Sequence, residues 1–174
     1  MSKRRLVVPC LVLALAGVGA SSAQAQISPA PNTFTLGGTL TFTTFGGPPV
    51  PCNVTMTINI APGGMSGSVT NFTATAGHLF CHSLRGDPTS WPVLRLAPSP
   101  TPRFQISGIR LYGLFAYCDN GVMNVEWTGG SPGSGNVVTQ GVMPGTWNSN
   151  PYPAGYCKLD GPMSVISGGP VSVL

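Results

Sequence analysis

Cys52-Asn53-Val54-Thr55-Met56-Thr57-Ile58-Asn59-Ile60 alternates apolar and polar side chains without a break. Val54, Met56, Ile58 and Ile60 share one face, and Asn53, Thr55, Thr57 and Asn59 share the other. Successive side chains of an extended chain point to opposite faces, so this stretch is a strand with one side buried. It is the clearest strand in the chain, and the remaining elements are read outward from it.

Downstream, Pro62-Gly63-Gly64 supplies a turn, and residues 66–76 return with weaker patterning, so residues 52–76 form a β-hairpin. Upstream, Thr33-Phe34-Thr35-Leu36 and Thr39-Leu40-Thr41-Phe42-Thr43 alternate in the same way, and a bulge or turn is expected at Gly37-Gly38. Residues 26–32, with two prolines, form an extended entry segment. Further strands are expected at 91–96, 103–118, 122–128, 137–142, 163–166 and 171–174. The Pro98-Ser99-Pro100-Thr101-Pro102 run cannot pair inside a sheet, and 129–136 and 147–156 read as loops. No segment sustains a 3.6-residue apolar period, and no solenoid-length repeat is visible. The expected architecture is all-β, an antiparallel β-sandwich, with an open β-barrel as the alternative.

The N-terminus reads as an export signal. Lys3, Arg4 and Arg5 precede an apolar run from Leu6 to Ala20, and Ala23-Gln24-Ala25 offers the small-x-small pattern of a cleavage site. That run falls short of the roughly 20 residues a spanning helix needs. Cleavage is expected after Ala25, leaving residues 26–174 as one domain without a transmembrane segment, secreted or periplasmic. Cys10 leaves with the signal. Cys52, Cys81, Cys118 and Cys157 remain, an even set suited to two disulfides in an oxidising compartment. Of the three connectivities, Cys52–Cys81 with Cys118–Cys157 is preferred because each bond then brackets one strand-rich unit. No C-x-x-C spacing supports zinc, and no cofactor is expected.

The formal charge of +4 owes much to the leader. Arg85, Arg95, Arg103, Arg110 and Lys158 then face Asp87, Asp119, Glu126 and Asp160, scattered and nearly balanced, which excludes a nucleic-acid partner. Only 7 % of the chain is charged, so hydroxyl and amide groups must hydrate the surface. Disorder is excluded because it goes with low hydrophobicity and high net charge.

Catalytic constellations are thin. Gly129-Gly130-Ser131-Pro132-Gly133 matches G-x-S-x-G but lacks the strand and helix that form a nucleophile elbow. His78 and His82 have helical ligand spacing in a stretch without helical pattern, so both read as surface residues near a disulfide. Asp119 and Glu126 read as exposed strand-end charges, with Arg110 a partner for either, rather than as a glycosidase pair. No catalytic, cofactor-binding or metal residue is therefore assigned. Trp91 and Trp127 belong to strand-like runs and are expected in the core. Trp147, Tyr152 and Tyr156 cluster in a Pro/Asn loop and form the candidate contact loop. Asn53-Val54-Thr55 and Asn71-Phe72-Thr73 match the glycosylation sequon.

In this order the elements resemble those of the PraB-type proteins, small bacterial secreted proteins named as activators of alkane oxidation. The likeness rests on Ile27-Ser28-Pro29-Ala30 with Asn32-Thr33-Phe34-Thr35, Cys52-Asn53-Val54-Thr55, Cys81 followed by Trp91-Pro92, Cys118-Asp119-Asn120-Gly121 leading to Trp127, and Gly155-Tyr156-Cys157. It implies a non-catalytic extracellular or periplasmic protein that assists growth on long-chain alkanes, with hydrophobic compounds or cell-surface components as partners. Two other classes stay open. One is a matrix or adhesin subunit that self-associates by donating the segment Ile27–Thr43 to another sheet. The other is a secreted hydrolase with an unrecognised site.

Overall fold

The computed structural model describes residues 27–174 except 29, 31, 45–46, 76–77, 87–89, 97–100, 115, 128–135, 144, 148–149, 152–156, 169–170 and 174. In chain order the elements are β1 (Ile27–Ser28), β2 (Asn32–Thr43), β3 (Val50–Ile60), β4 (Ser66–Thr75), α1 (Leu79–Ser83), β5 (Arg85–Gly86), β6 (Trp91–Arg95), β7 (Arg103–Tyr112) and β8 (Ala116–Trp127). They continue with β9 (Asn136–Met143), β10 (Gly145–Trp147), β11 (Asn150–Pro151), β12 (Cys157–Ser167) and β13 (Ser172–Val173).

The strands form a closed meander. β2, β3 and β4 pair in succession, and β5 and β6 lie in line as one interrupted strand between β4 and β7. β7 pairs with β8, β8 with β9, β9 with β12, and β12 returns to β2, all antiparallel. The result is an eight-stranded up-and-down β-barrel, which fits the barrel alternative and not the sandwich expected first. A sandwich would leave β2 and β12 as edges. Here they pair from Lys158↔Thr43 to Ser167↔Thr35, so each barrel strand is bonded on both sides. Within this chain β2 is bonded to β12 on one side and to β3 on the other.

The period-two pattern explains which side faces in. Phe34, Leu36, Leu40 and Phe42 of β2, Val54, Met56, Ile58 and Ile60 of β3, and Phe104, Ile106, Ile109 and Leu111 of β7 are all buried. Trp91, Val93, Met123, Val125, Trp127, Leu159 and Met163 complete one apolar core, as an eight-stranded barrel just wide enough to be filled by side chains requires. The outward face of β2, β3 and β4 carries hydroxyls and amides. Thr39 Oγ1 donates to Asn53 Oδ1 at 2.9 Å, and the Thr35–Thr57 and Thr55–Thr73 hydroxyl pairs bridge neighbouring strands. This is the reverse of a lipid-facing barrel, whose outer band is apolar. Among the described residues no helix is long and apolar enough to cross a membrane.

No turn forms at Gly37-Gly38. β2 runs straight through, with Gly37↔Thr55 and Gly38↔Val54 in unbroken register, because two glycines preserve the inside–outside parity. Their use is on the other side, where β12 kinks inward. A Cβ on Gly38 would overlap the Pro162 carbonyl oxygen and come within 2.8 Å of Met163 Cα. Gly161 has φ +148°, and its carbonyl accepts a hydrogen bond from the buried Thr139 hydroxyl at 3.0 Å.

Other boundaries also differ from expectation. The run 103–118 is two strands, β7 and β8, joined by a turn around Gly113 and Leu114. β12 starts at Cys157, well before the expected 163, and α1 occupies a stretch with no helical pattern in the sequence. The expected loops at 129–136 and 147–156 lie largely outside the described residues. Within them Trp147 ends β10, which pairs with Ala116–Cys118 of β8 and with β11.

The two ends of the barrel are built differently. At one, β1 pairs with β13, the Ile27 amide donates to the Gly64 carbonyl, and Ile27, Val171 and Val173 are buried as a plug. At the other lie both disulfides, Cys52–Cys81 and Cys118–Cys157. The second joins β8 to β12 across the end of β9, with Cα atoms 6.1 Å apart, where strands two places apart in a sheet stand about 10 Å from each other.

Candidate functional site

Four segments meet at the disulfide-braced end and enclose an apolar cleft of about 210 Å³. Phe42 comes from the end of β2, Thr44, Gly47 and Pro48 from the β2–β3 connection with Val50 at the start of β3, Leu79 and Phe80 from α1 with its N-cap His78, and Leu114 from the β7–β8 turn. Leu79 and Leu114, 72 % and 55 % exposed, present large apolar side chains to solvent at its rim.

Local chemistry fixes α1 in this position. His78 is its N-cap, and Nδ1 of the imidazole accepts the Phe80 amide at 3.1 Å, satisfying one of the orphan donors of the first turn. A neutral ring that accepts through Nδ1 carries its proton on Nε2. At the other end the Leu84 amide donates to the Phe80 and Cys81 carbonyls. Five residues are too few for a helix to persist unaided. The Cys52–Cys81 bond anchors it to β3, and the Phe80 ring packs on Phe42 with centroids 5.1 Å apart. Ser83 joins the helix to the β7–β8 turn, its hydroxyl donating to the Phe80 carbonyl at 2.7 Å and accepting the Leu114 amide at 3.2 Å.

The sequence singled out other residues, and most are dispersed. His82 lies in the last turn of α1, exposed, and His78 is engaged as a cap. No group of three metal-ligating side chains occurs among the described residues. Asp119 and Glu126 lie seven positions apart on β8, on the order of 24 Å for an extended strand, too far for a carboxylate pair acting on one bond. Arg110 Nε donates to Asp119 Oδ1 at 2.7 Å, while Glu126 stands opposite Arg103 in register. Trp91 and Trp127 are buried, Trp91 against Phe72 with centroids 5.5 Å apart. Ser131, Tyr152 and Tyr156 lie outside the described residues, as does the side chain of Trp147. β10 places the Trp147 backbone at the same end of the barrel as the cleft.

Sequence reasoning missed the cleft itself. Leu79-Phe80 beside Cys81 was the available signal, an apolar pair next to a disulfide, but its partners Phe42, Val50 and Leu114 are distant in the chain.

Beside the cleft, on the outer face of β7 and β8, the rings of Tyr112 and Tyr117 meet at 4.9 Å. Burial pushes the Tyr117 hydroxyl up to about 12, and its hydrogen bond to Asp119 and that carboxylate's charge add to the shift. Burial acts to raise the Asp119 carboxyl, but hydrogen bonds from Tyr117, the Asn120 amide and Arg110 outweigh it and hold the group below its ordinary value.

Fold and site together define a disulfide-braced, up-and-down β-barrel with a filled interior and an apolar cleft at one mouth. The arrangement suits contact with a hydrophobic molecule, because Thr44 and His78 are the only polar side chains among the described lining residues. The chain belongs to the alkane oxidation protein activator PraA/PraB-like family, whose model matches residues 1–171. No curated protein and no solved structure matches it.

Proposed function

We propose that this protein is an exported, non-catalytic β-barrel that assists the use of long-chain alkanes by acting at the cell surface or at the oil–water boundary. The observation that carries the reading is the apolar cleft at the disulfide-braced mouth, in a member of a family described by alkane oxidation. Two disulfides suit an oxidising compartment outside the cytoplasm, in keeping with the signal-like N-terminus. The non-catalytic reading is supported by the distance between Asp119 and Glu126 along β8 and by the use of His78 as a helix cap.

A deletion strain tests this. Slow growth on hexadecane, normal growth on succinate and restoration by the purified mature protein added to the medium are expected. Equal growth of deletion and parent strains on hexadecane would remove the functional reading.

A further inference from the structure

We infer that the cleft between α1, the β2–β3 connection and the β7–β8 turn is a binding site for the end of a single unbranched alkyl chain. This deepens the proposed function and rests on it for the choice of ligand class, while the cleft itself stands on geometry.

The lining selects against other ligands. Phe42, Pro48, Val50, Leu79, Phe80 and Leu114 make the walls, and among the described lining residues there is no Lys, Arg, Asp or Glu to act as counter-charge for a phosphate or an ammonium group. Its imidazole, His78, already uses Nδ1 on the Phe80 amide. A ligand rich in hydrogen-bonding groups would lose its water here without replacement, which costs on the order of 1–3 kcal/mol per group. A peptide strand is disfavoured as well, because the neighbouring barrel strands already have bonded partners on both sides.

Size narrows the class. Pockets for drug-sized ligands run about 300–1,000 Å³, so a cleft of about 210 Å³ takes part of a molecule. If a methylene fills roughly the ~30 Å³ that a water takes in the liquid, on the order of seven occupy it. A longer chain continues outward between Leu79 and Leu114, whose exposure at the rim gives it apolar surface to follow. The barrel interior holds the apolar core, and the β1–β13 pair lies at the far end.

Calorimetric titration of the purified mature protein with 1-alkanols from butanol to dodecanol tests the assignment. The dissociation constant is expected to fall about three- to fourfold for each added methylene, the worth of one buried CH₂, and to level off at about seven or eight carbons. Leu114→Asp should weaken octanol binding at least tenfold. Leu79→Ser, at a more exposed position, should weaken it severalfold with the melting temperature unchanged, which keeps the test valid if Leu114→Asp folds poorly. Absence of saturable binding, a flat chain-length series, or octanol binding by Leu79→Ser equal to wild type would each overturn the site. So would a dimer that Leu79→Ser dissociates, in a protein that binds no alkanol. The titration is independent of hexadecane growth, so a failed site and a failed functional reading give different results.

Discussion

The Ser83 hydroxyl accepts the backbone amide of Leu114 at 3.2 Å while donating to the Phe80 carbonyl at 2.7 Å. One small side chain thereby holds two walls of the cleft together, although Ser83 and Leu114 are 31 apart in sequence. Replacing it by alanine should cost about 1–2 kcal/mol in urea unfolding, the usual worth of one or two hydrogen bonds. Hydrogen exchange at the Leu114 amide should quicken as well; exchange as slow as in wild type would show that the contact does not form in solution.

The disulfides close loops of 29 and 39 residues, and by loop-closure entropy each should stabilise the barrel by roughly 3–4 kcal/mol. They should not be equivalent in function. Cys52→Ala with Cys81→Ala releases α1 and should abolish octanol binding, whereas Cys118→Ala with Cys157→Ala should lower the melting temperature and leave binding by the folded protein intact. Equal effects of the two pairs on binding would contradict the role given to Cys52–Cys81.

Tyr117 and Asp119 give opposite pH signatures. The raised Tyr117 value contributes stability that is present below about pH 10, the ordinary tyrosine value, and is lost as pH rises toward 12. The depressed Asp119 value contributes stability that is present above about pH 4 and is lost as pH falls through the folded value. Ultraviolet titration should find one tyrosine ionising near 12, and Asp119→Asn should bring it down. An Asp119→Asn variant in which Tyr117 still ionises near 12 would rule out the Tyr117–Asp119 contact.

Barrel closure makes its own prediction at Gly38. A side chain there collides with the backbone of β12, which cannot swing aside as a flexible side chain would. Gly38→Ala should destabilise by about 1–3 kcal/mol, a typical cost of overpacking. Gly63→Ala is a useful contrast: its Cβ would meet nothing within 4 Å, so only its φ of +89° opposes the change. A harmless Gly38→Ala would mean that β12 does not pack on β2 as described.

Local alternation made the β3–β4 hairpin and the all-β class legible, because Val54 to Ile60 and their polar neighbours declare which side is buried. Closure was not legible. The pairing of Thr43 with Lys158 joins segments far apart in the chain, and a sandwich and a barrel impose the same period-two pattern on each strand. The first half of β12 was hidden because Lys158, Asp160, Gly161 and Pro162 interrupt the apolar alternation. The five residues of α1 are too few to show a helical period. The cleft is assembled from four separate segments, so no single stretch of sequence declares it.

The central claim, that the cleft at the disulfide-braced mouth is the working part of this member of the PraA/PraB-like family, is tested most directly by adding purified proteins to the deletion strain growing on hexadecane. Wild-type protein should restore growth, and Leu79→Ser, folded to the same melting temperature, should restore markedly less. Full restoration by Leu79→Ser together with a correctly folded Leu114→Asp would contradict the account.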